Sequence, residues 1–388
     1  MTDPWFQVEK HQPLEVPAGP GYQDYIWRAQ FACQVNILPY SAWLKFKWGF
    51  NASALFDEFF ERQKLFLESQ YEVRHQLGSE APDYRTLAFR YINRPGEGLL
   101  VAILGKIHAK TEEKARESIL AYYTEVQATF PYDYTLVPAQ SSQEFRQLSG
   151  WDVLDASQDH FHLAQIKRLE IPLSPIRNTS FLQGIWRSGP RAHEQIWRSL
   201  ASSPDPVLLN MSLRCTVLYE KEREKLVKFA EEIASIHDKP LNQQTLSGMQ
   251  QWNRKHVERR LVPWTKLFYL QIHLASTCKL NGNQLRAIGT SLTLDSSGEV
   301  LPGYQIVHPD QAQTNTWQKR LKNLDTIFLN SYVPVSRLSE VADLEEVFAV
   351  IRLPYSPPEN GFPNVKFIGT NNEMMTKEEH RKTRRPHV

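Results

Sequence analysis

Four short stretches of this chain carry residue types that could do chemistry. Gly98 to Lys106 (GLLVAILGK) has the glycines and lysine of a phosphate-binding loop. That loop needs Gly, four residues, then Gly-Lys-Ser/Thr, so that a glycine-rich turn converges its amides on phosphate. Here six residues separate Gly98 from Gly105, they read as a strand, and Ile107 follows Lys106. Gly96-x-Gly98 precedes a strand instead of opening a helix, so the dinucleotide fingerprint fails as well. His160-x-His162, beside Asp159, could put two imidazoles on one face of a strand, yet no third metal ligand is signalled. Pro204-Asp205 opens like a carboxylate–lysine nuclease motif, but the downstream YEKEREK supplies no Glu-x-Lys in frame and fits a solvated helix face. No G-x-S-x-G elbow and no H-E-x-x-H occurs. Catalytic, cofactor-binding and metal-binding residues are therefore all expected to be none, and no cofactor is expected.

The fourth stretch is Gln250 to Trp264, where Trp252 and Trp264 interleave with Arg254, Lys255, Arg259 and Arg260. Cations with aromatics can hold a single nucleic-acid strand by charge and stacking. The same residues also suit a helix with Trp252 and His256 inward and the cations outward. A second basic group lies in the tail after Thr376, where Lys377, Arg381, Lys382, Arg384 and Arg385 oppose only Glu378 and Glu379. That leaves a body of nearly zero charge in a chain whose net charge is +2. A solvated tail or a phosphate contact both fit.

Composition bounds the rest. At 388 residues with 41% hydrophobic and 11% aromatic side chains, two or three packed domains are expected. The longest apolar run, Leu99 to Leu104, is too short to span a bilayer, and the N-terminus lacks a secretory pattern. Three separated cysteines, Cys33, Cys215 and Cys278, argue against a disulfide framework and fit a reducing cytoplasm.

The elements that must position any site follow from periodicity. Residues 1–20 hold four prolines and read as an arm. Strand is expected within Tyr25 to Phe50, then a helix capped at Asn51 or Ser53 and ended by Gly78 and Pro82. RTLAFRYIN alternates as a strand, Asn93 to Gly98 is a turn, and LLVAILGKIHA is a central strand. Thr111 caps a helix to about Phe130, and DYTLVP is a strand. Strand, helix, strand, turn, strand, helix, strand is the order of a ferredoxin-like split βαβ unit. After the Ser141-x-x-Glu144 capping box the pattern restarts: HFHLAQIKRLEIPL as strand, PRAHEQIWRSLAS as helix, PVLLNMSLRCTVLY as strand. The charged helix EKEREKLVKFAEEIASIH and a second helix through Leu261 follow. WTKLFYLQIHLAS, NGNQLRAIGTSLTL and GYQIVH then give strand, helix, strand. Asp310 to Lys322 and Leu338 to Phe348 read as helices. The expected fold class is α+β, with tandem ferredoxin-like units on mainly antiparallel sheets and a proline-rich C-terminal strap. The expected division is an arm (1–20), a first α+β domain (21–140), a second (155–350) and a connector with basic tail (351–388), the two units meeting near residues 140–160.

The strap, VFAVIRLPYSPPENGFPNVKF, is where the sequence points beyond itself. LFYLQIHLASTCKLNGNQLRAIGTSL followed by LEEVFAVIRLPYSPPENGFPNV resembles the N-terminal region of HerA/FtsK-like motor ATPases of conjugation and type IV secretion. Glu346, Phe348, Arg352-Leu353-Pro354 and Gly361-Phe362-Pro363 match that family's connector into its ATPase core, and GLLVAILGKIHA through YTLVP is similar in its run of elements. The resemblance spans most of residues 84–367. It implies a non-catalytic companion or N-terminal module of a DNA-translocating ATPase, with Arg352, Leu353, Pro354, Phe362 and Pro363 as partner contacts and a separate ATPase subunit as partner. The family's Walker motifs have no counterpart here, so none of its catalytic residues carries over. DNA contact and homo-oligomerisation stay open. A sequence-nonspecific nucleic-acid-binding module on a ferredoxin-like sheet is the alternative, and an enzyme with an unrecognised site the third.

Overall fold

The computed structural model describes residues 4–11, 26–37, 52–71, 85–154, 162–172, 181–189, 192–237, 248–293, 303–325, 338–355, 365 and 367–368. In chain order the elements are β1 Gln7–Lys10, β2 Trp27–Ile37, α1 Ala52–Ser69, β3 Thr86–Arg94, β4 Gly98–Ala109, α2 Glu112–Thr129 and β5 Tyr134–Pro138. Then come α3 Ser142–Leu148, α4 Trp151–Leu154, β6 His162–Arg168, β7 Glu170–Pro172, β8 Phe181–Gln183, α5 Ala192–Ala201 and β9 Val207–Thr216. The remainder is α6 Glu220–His237, α7 Gly248–Leu261, β10 Leu267–Ser276, α8 Gly282–Leu292, β11 Tyr304–Val307, α9 Thr314–Asn323, β12 Val341–Asp343 and α10 Leu344–Val350.

The protein is α+β, built on a ten-stranded antiparallel sheet in the order β1-β2-β4-β3-β9-β10-β6-β11. β5 shares an edge of β2 with β1, and β12 shares an edge of β10 with β6. Ranked by chain order, the strands β2, β3, β4, β5 lie across the sheet as 4-1-3-2, and so do β6, β9, β10, β11. β3 pairs with β9 from Leu87↔Leu213 to Asn93↔Val207, so the sheet is continuous across the two halves.

Period-two alternation explains why one face is dry. Phe31, Cys33, Phe89, Tyr91, Val101, Ile103, Leu209, Met211, Phe268, Ile272 and Ile166 all fall on the same side and form the main core. Five helices cover that side. Phe59 and Phe66 come from α1, Ile119 and Val126 from α2, Trp197 from α5, Leu285, Ile288 and Leu292 from α8, and Val347 and Val350 from α10. In α1, α2, α8 and α10 these residues recur at spacings of three, four or seven, which keeps them on one stripe. Gly105 sits where a Cβ would collide with the Phe31 ring, which is why this strand position carries no side chain.

The opposite face is mixed. It has a smaller apolar cluster under Phe145, Trp317 and Leu321, and a belt of buried polar groups. Arg90 lies on β3 at the junction of the halves, fully buried. Its Nε donates to Asn210 Oδ1 (2.9 Å), and its Nη1 and Nη2 donate to the carbonyls of Ser149 and Leu321. Those carbonyls belong to the C-terminal ends of α3 and α9, whose dipoles offer partial negative charge. Lys106 Nζ bonds Asp325 at 2.7 Å, and Gln30 Nε2 donates to the Asn323 carbonyl. The end of α9 is thus captured by side chains from β2, β3 and β4. Burial opposes ionisation of Asp325, but Lys106 and His11 hold its carboxyl well below the usual range.

His273 on β10 is 1% exposed, and neither ring nitrogen has a hydrogen-bond partner. Burial, with Arg90 nearby, holds its pKa down at about 3. His193 on α5 is likewise held at about 3, chiefly by burial. Unfolded histidines take a proton near pH 6.5, so their neutral burial contributes stability above that pH that is lost as pH falls toward about 3. Each site removes up to about 1.4 kcal/mol per pH unit in that window. Glu340 and Asp343, held above the usual range chiefly by burial, act in the opposite sense. Denaturant titrations at several pH values should therefore show His273→Leu to lose less stability than wild type between pH 6.5 and 4. Parallel profiles for the two proteins would refute the assignment.

Several expectations are corrected. The N-terminal arm contains β1, and the Trp5 amide just before it is bonded to the Ala139 carbonyl (2.8 Å). The first helix ends at Ser69, where Gln70 turns and its side chain bonds back to the Phe66 carbonyl, well before Gly78 and Pro82. Residues 338–348 are not one helix. Val341–Asp343 pairs with the exposed half-edge of β10 that β6 leaves at Leu267–Tyr269, and only then does Asp343 cap α10. Near the expected meeting point of the two units, the Ser141 capping box opens α3 as read, α4 follows, and the Ser149 carbonyl is fixed by Arg90.

Candidate functional site

The densest polar construction on the apolar side lies where α10 begins. Asp343 is the N-cap, with a reciprocal capping box: the Glu346 amide donates to Asp343 Oδ1 (3.1 Å) and the Asp343 amide to Glu346 Oε2 (3.3 Å). The Glu346 carboxylate, fully buried, also receives two guanidinium groups. Arg168 Nη1 of β6 donates to Oε1 at 2.7 Å, and Arg260 Nη2 of α7 donates to Oε2. Arg168 spends its other donors on the carbonyls of Ser339, Leu338 and Val341 (2.8, 2.7 and 2.6 Å), and Arg260 Nε reaches the Val341 carbonyl. Arg259 bonds Asp343 (2.6 Å). Buried charges are tolerable when paired and fully hydrogen-bonded, and here they fasten α10 to β6 and α7 together. Glu340 fills the gap between β12 and β6, where its carbonyl receives the Leu270 amide and its carboxyl accepts from Tyr269 Oη (2.6 Å), Gln271 Nε2 (2.7 Å) and Gln165 Nε2.

The strap leaves α10 as Ile351 to Tyr355, non-helical and buried throughout. It has no ladder partner, so its backbone groups need side chains. Tyr91 Oη of β3 donates to the Arg352 carbonyl (2.6 Å), the Leu353 amide donates to Gln63 Oε1 of α1 (3.0 Å), and Tyr134 Oη of β5 donates to the Pro354 carbonyl (3.0 Å). Gln63 Nε2 in turn donates to Tyr134 Oη. The Arg352 guanidinium lies over the rings of Phe348 (4.5 Å) and Phe60 (4.8 Å), and burial lowers its pKa to about 10. From the second half, His193 Nε2 donates to the Val350 carbonyl (2.9 Å) and Tyr355 Oη bonds Glu194. Tyr355 packs edge-on against Phe59, Phe60 and Trp197. Further on, Phe367 packs on Trp197 and bridges Leu99, whose carbonyl takes the Ile368 amide.

The residues expected at functional surfaces separate clearly. Lys255 is exposed and Arg254 is half-exposed, paired with Glu258 at 2.8 Å. Arg259 keeps 42% exposure while bonding Asp343. Arg260 is withdrawn from that set: it is buried on Glu346, because its turn of α7 faces α10. Arg352, Leu353 and Pro354 are likewise inward, holding the strap to this chain instead of facing a partner. Phe362, Pro363, Arg381, Lys382, Arg384 and Arg385 lie outside the described residues, as do His160 and the side chains of Trp252 and His256. Gly98 to Lys106 is a strand, as read from the sequence. No cluster of three metal-binding side chains occurs among the described residues, and among them no helix is long and apolar enough to cross a membrane. Sequence reasoning missed Arg168. Its signal was parity: it shares the apolar face with Ala164 and Ile166, where a cation needs a buried partner.

No protein-family model and no curated protein matches this chain.

Proposed function

We propose that the chain is a non-catalytic assembly module of a HerA/FtsK-like DNA-translocating ATPase, built from two ferredoxin-like units joined edge to edge. The 4-1-3-2 strand order in both halves, with the connecting helices α1, α2, α5 and α8 on one side, supports the two-unit reading. One observation carries the functional reading. The residues that match the family's connector, Glu346, Phe348 and Arg352-Leu353-Pro354, are those by which the body grips the root of the strap. A connector that positions a following element needs a fixed origin, and a buried ion pair with satisfied backbone supplies one.

The alternative, nucleic acid lying on an open ferredoxin-like sheet, has less support than the assembly reading. Both faces are covered, with Gln30, Arg90, Asn210, Gln271 and His273 at 3% exposure or less on the polar side. The test is co-expression with a HerA/FtsK-like ATPase from the adjoining reading frame. Stable co-purification is expected, weakened when residues 369–388 are deleted, a cut that spares Phe367 and Ile368 on Trp197 and Leu99 and should leave the melting temperature little changed. Calorimetry of this chain alone with Mg-ATP should show no binding. Micromolar nucleotide affinity, or an ATPase that does not associate, would overturn the proposal.

A further inference from the structure

The root of the strap runs in a channel that the two-half architecture creates. The halves match strand for strand, apart from an insertion, α6 and α7, between β9 and β10. Helices α1 and α5 are therefore equivalent: α1 joins β2 to β3, and α5 lies between β6 and β9. Both sit on the apolar side, and β3 and β9 pair where the halves meet. The strap passes between these two helices and touches both. Tyr355 packs edge-on against Phe59 and Phe60 of α1 and against Trp197 of α5.

The body holds this segment by its backbone, and does so with side chains. The carbonyls of Ala349, Val350, Arg352 and Pro354 receive Ser188 Oγ, His193 Nε2, Tyr91 Oη and Tyr134 Oη, and the Leu353 amide donates to Gln63. None of these bonds needs the strap to be covalently part of the body. Pro354 brings no amide donor into the channel and fixes an extended φ. Aromatic-lined grooves that hold extended, proline-containing segments are a recurring mode of peptide recognition. Selectivity has two anchors. Leu353 is 2% exposed, and Tyr355 adds to its ring contacts a hydrogen bond from Oη to Glu194. Arg352 is the poorer fit: its guanidinium stacks on Phe348 and Phe60, yet Nε is buried without a hydrogen-bond partner. An unmet buried donor weakens the seat of the segment that carries it.

We propose that the channel between α1 and α5 is a binding site for an extended peptide of the pattern aliphatic-x-Leu-Pro-Tyr, and that the chain's own strap is its resident ligand. The covalent tether gives the strap an effective concentration on the order of millimolar, so the wild-type site is self-occupied. A segment supplied in trans enters once the strap's own anchors are weakened.

This does not rest on the ATPase reading, and the test uses the full chain alone. The strap is weakened by Leu353→Ser together with Tyr355→Ala, and the probe is a fluorescein-labelled synthetic peptide of residues 349–355. Fluorescence anisotropy should show the variant binding the peptide with a dissociation constant of about 1–100 µM, with part of its lost melting temperature restored. Wild type should bind at least about a hundredfold more weakly, because its own strap fills the channel. Adding Tyr91→Phe to the variant removes one hydrogen bond to the peptide and should weaken uptake about three- to tenfold. If the variant does not fold alone, refolding it with the peptide should recover soluble, folded chain, and a scrambled peptide should not. A folded variant that takes up no peptide at about 100 µM, equal uptake of the scrambled peptide, equal uptake by wild type, or no recovery on refolding overturns the proposal.

Discussion

Replacing Glu346 with alanine is expected to destabilise the fold by about 3–5 kcal/mol, because it strands two buried guanidinium groups and removes half of a capping box. For a chain of this size that is a fall in melting temperature of about 4–6 °C. The damage should also be local first. With α10 loosened from β6 and α7, the strap root at Ile351 to Tyr355 should become cleavable in limited proteolysis before the sheet does. The control is the triple replacement Arg168→Met, Glu346→Leu, Arg260→Met. Removing the charges together avoids stranded guanidinium groups but leaves the Leu338, Ser339 and Val341 carbonyls without their donors, so it should recover only part of the stability lost by the single variant. An alanine variant within about 1 kcal/mol of wild type would mean that the ion network is not what fixes α10.

Arg90→Ala should be nearly as damaging, by about 3 kcal/mol or more, for a different reason. Arg90 has no carboxylate partner among its hydrogen bonds; burial lowers its pKa to about 9, and two helix ends and Asn210 satisfy it. Its removal leaves buried acceptors unpaired at the β3–β9 junction and opens a cavity. Arg90→Lys should rescue little, since one ammonium cannot reach three acceptors spread around a planar fork. Hydrogen exchange should report the release directly, with amides of α9 and α3 losing protection ahead of those in β10. Uniform loss across the chain would contradict the assignment of Arg90 as the fastener of those two helices.

Most of the secondary structure was legible because it is driven by local periodicity and caps. Thr111 and Ser141 each cap a helix through the expected side-chain oxygen, and LLVAILGKIHA is central because it is apolar on nearly every residue. What was not legible depends on partners distant in sequence. β12 looks helical by itself and is a strand only because β10 offers a half-empty edge there. Arg260 looked like a surface cation among cations, and its fate is decided by Glu346, which lies 86 residues away. The same holds for the strap. Its prolines announced an extended segment, but nothing local indicated that Tyr91, Gln63 and Tyr134 would complete the hydrogen bonds of three consecutive residues. The insertion at α6 and α7 became visible as an insertion only when the two halves could be compared strand by strand.

The most direct test of the central claim is hydrogen–deuterium exchange at the strap root of the wild-type chain. If Glu346 to Tyr355 is a fixed origin for the connector, the amides of Ile351 and Leu353, bonded to the Val347 carbonyl and to Gln63, should exchange as slowly as those of β10. Glu346→Ala should then speed them selectively. Exchange at Leu353 as fast as in an unstructured peptide in the wild-type protein would contradict the account.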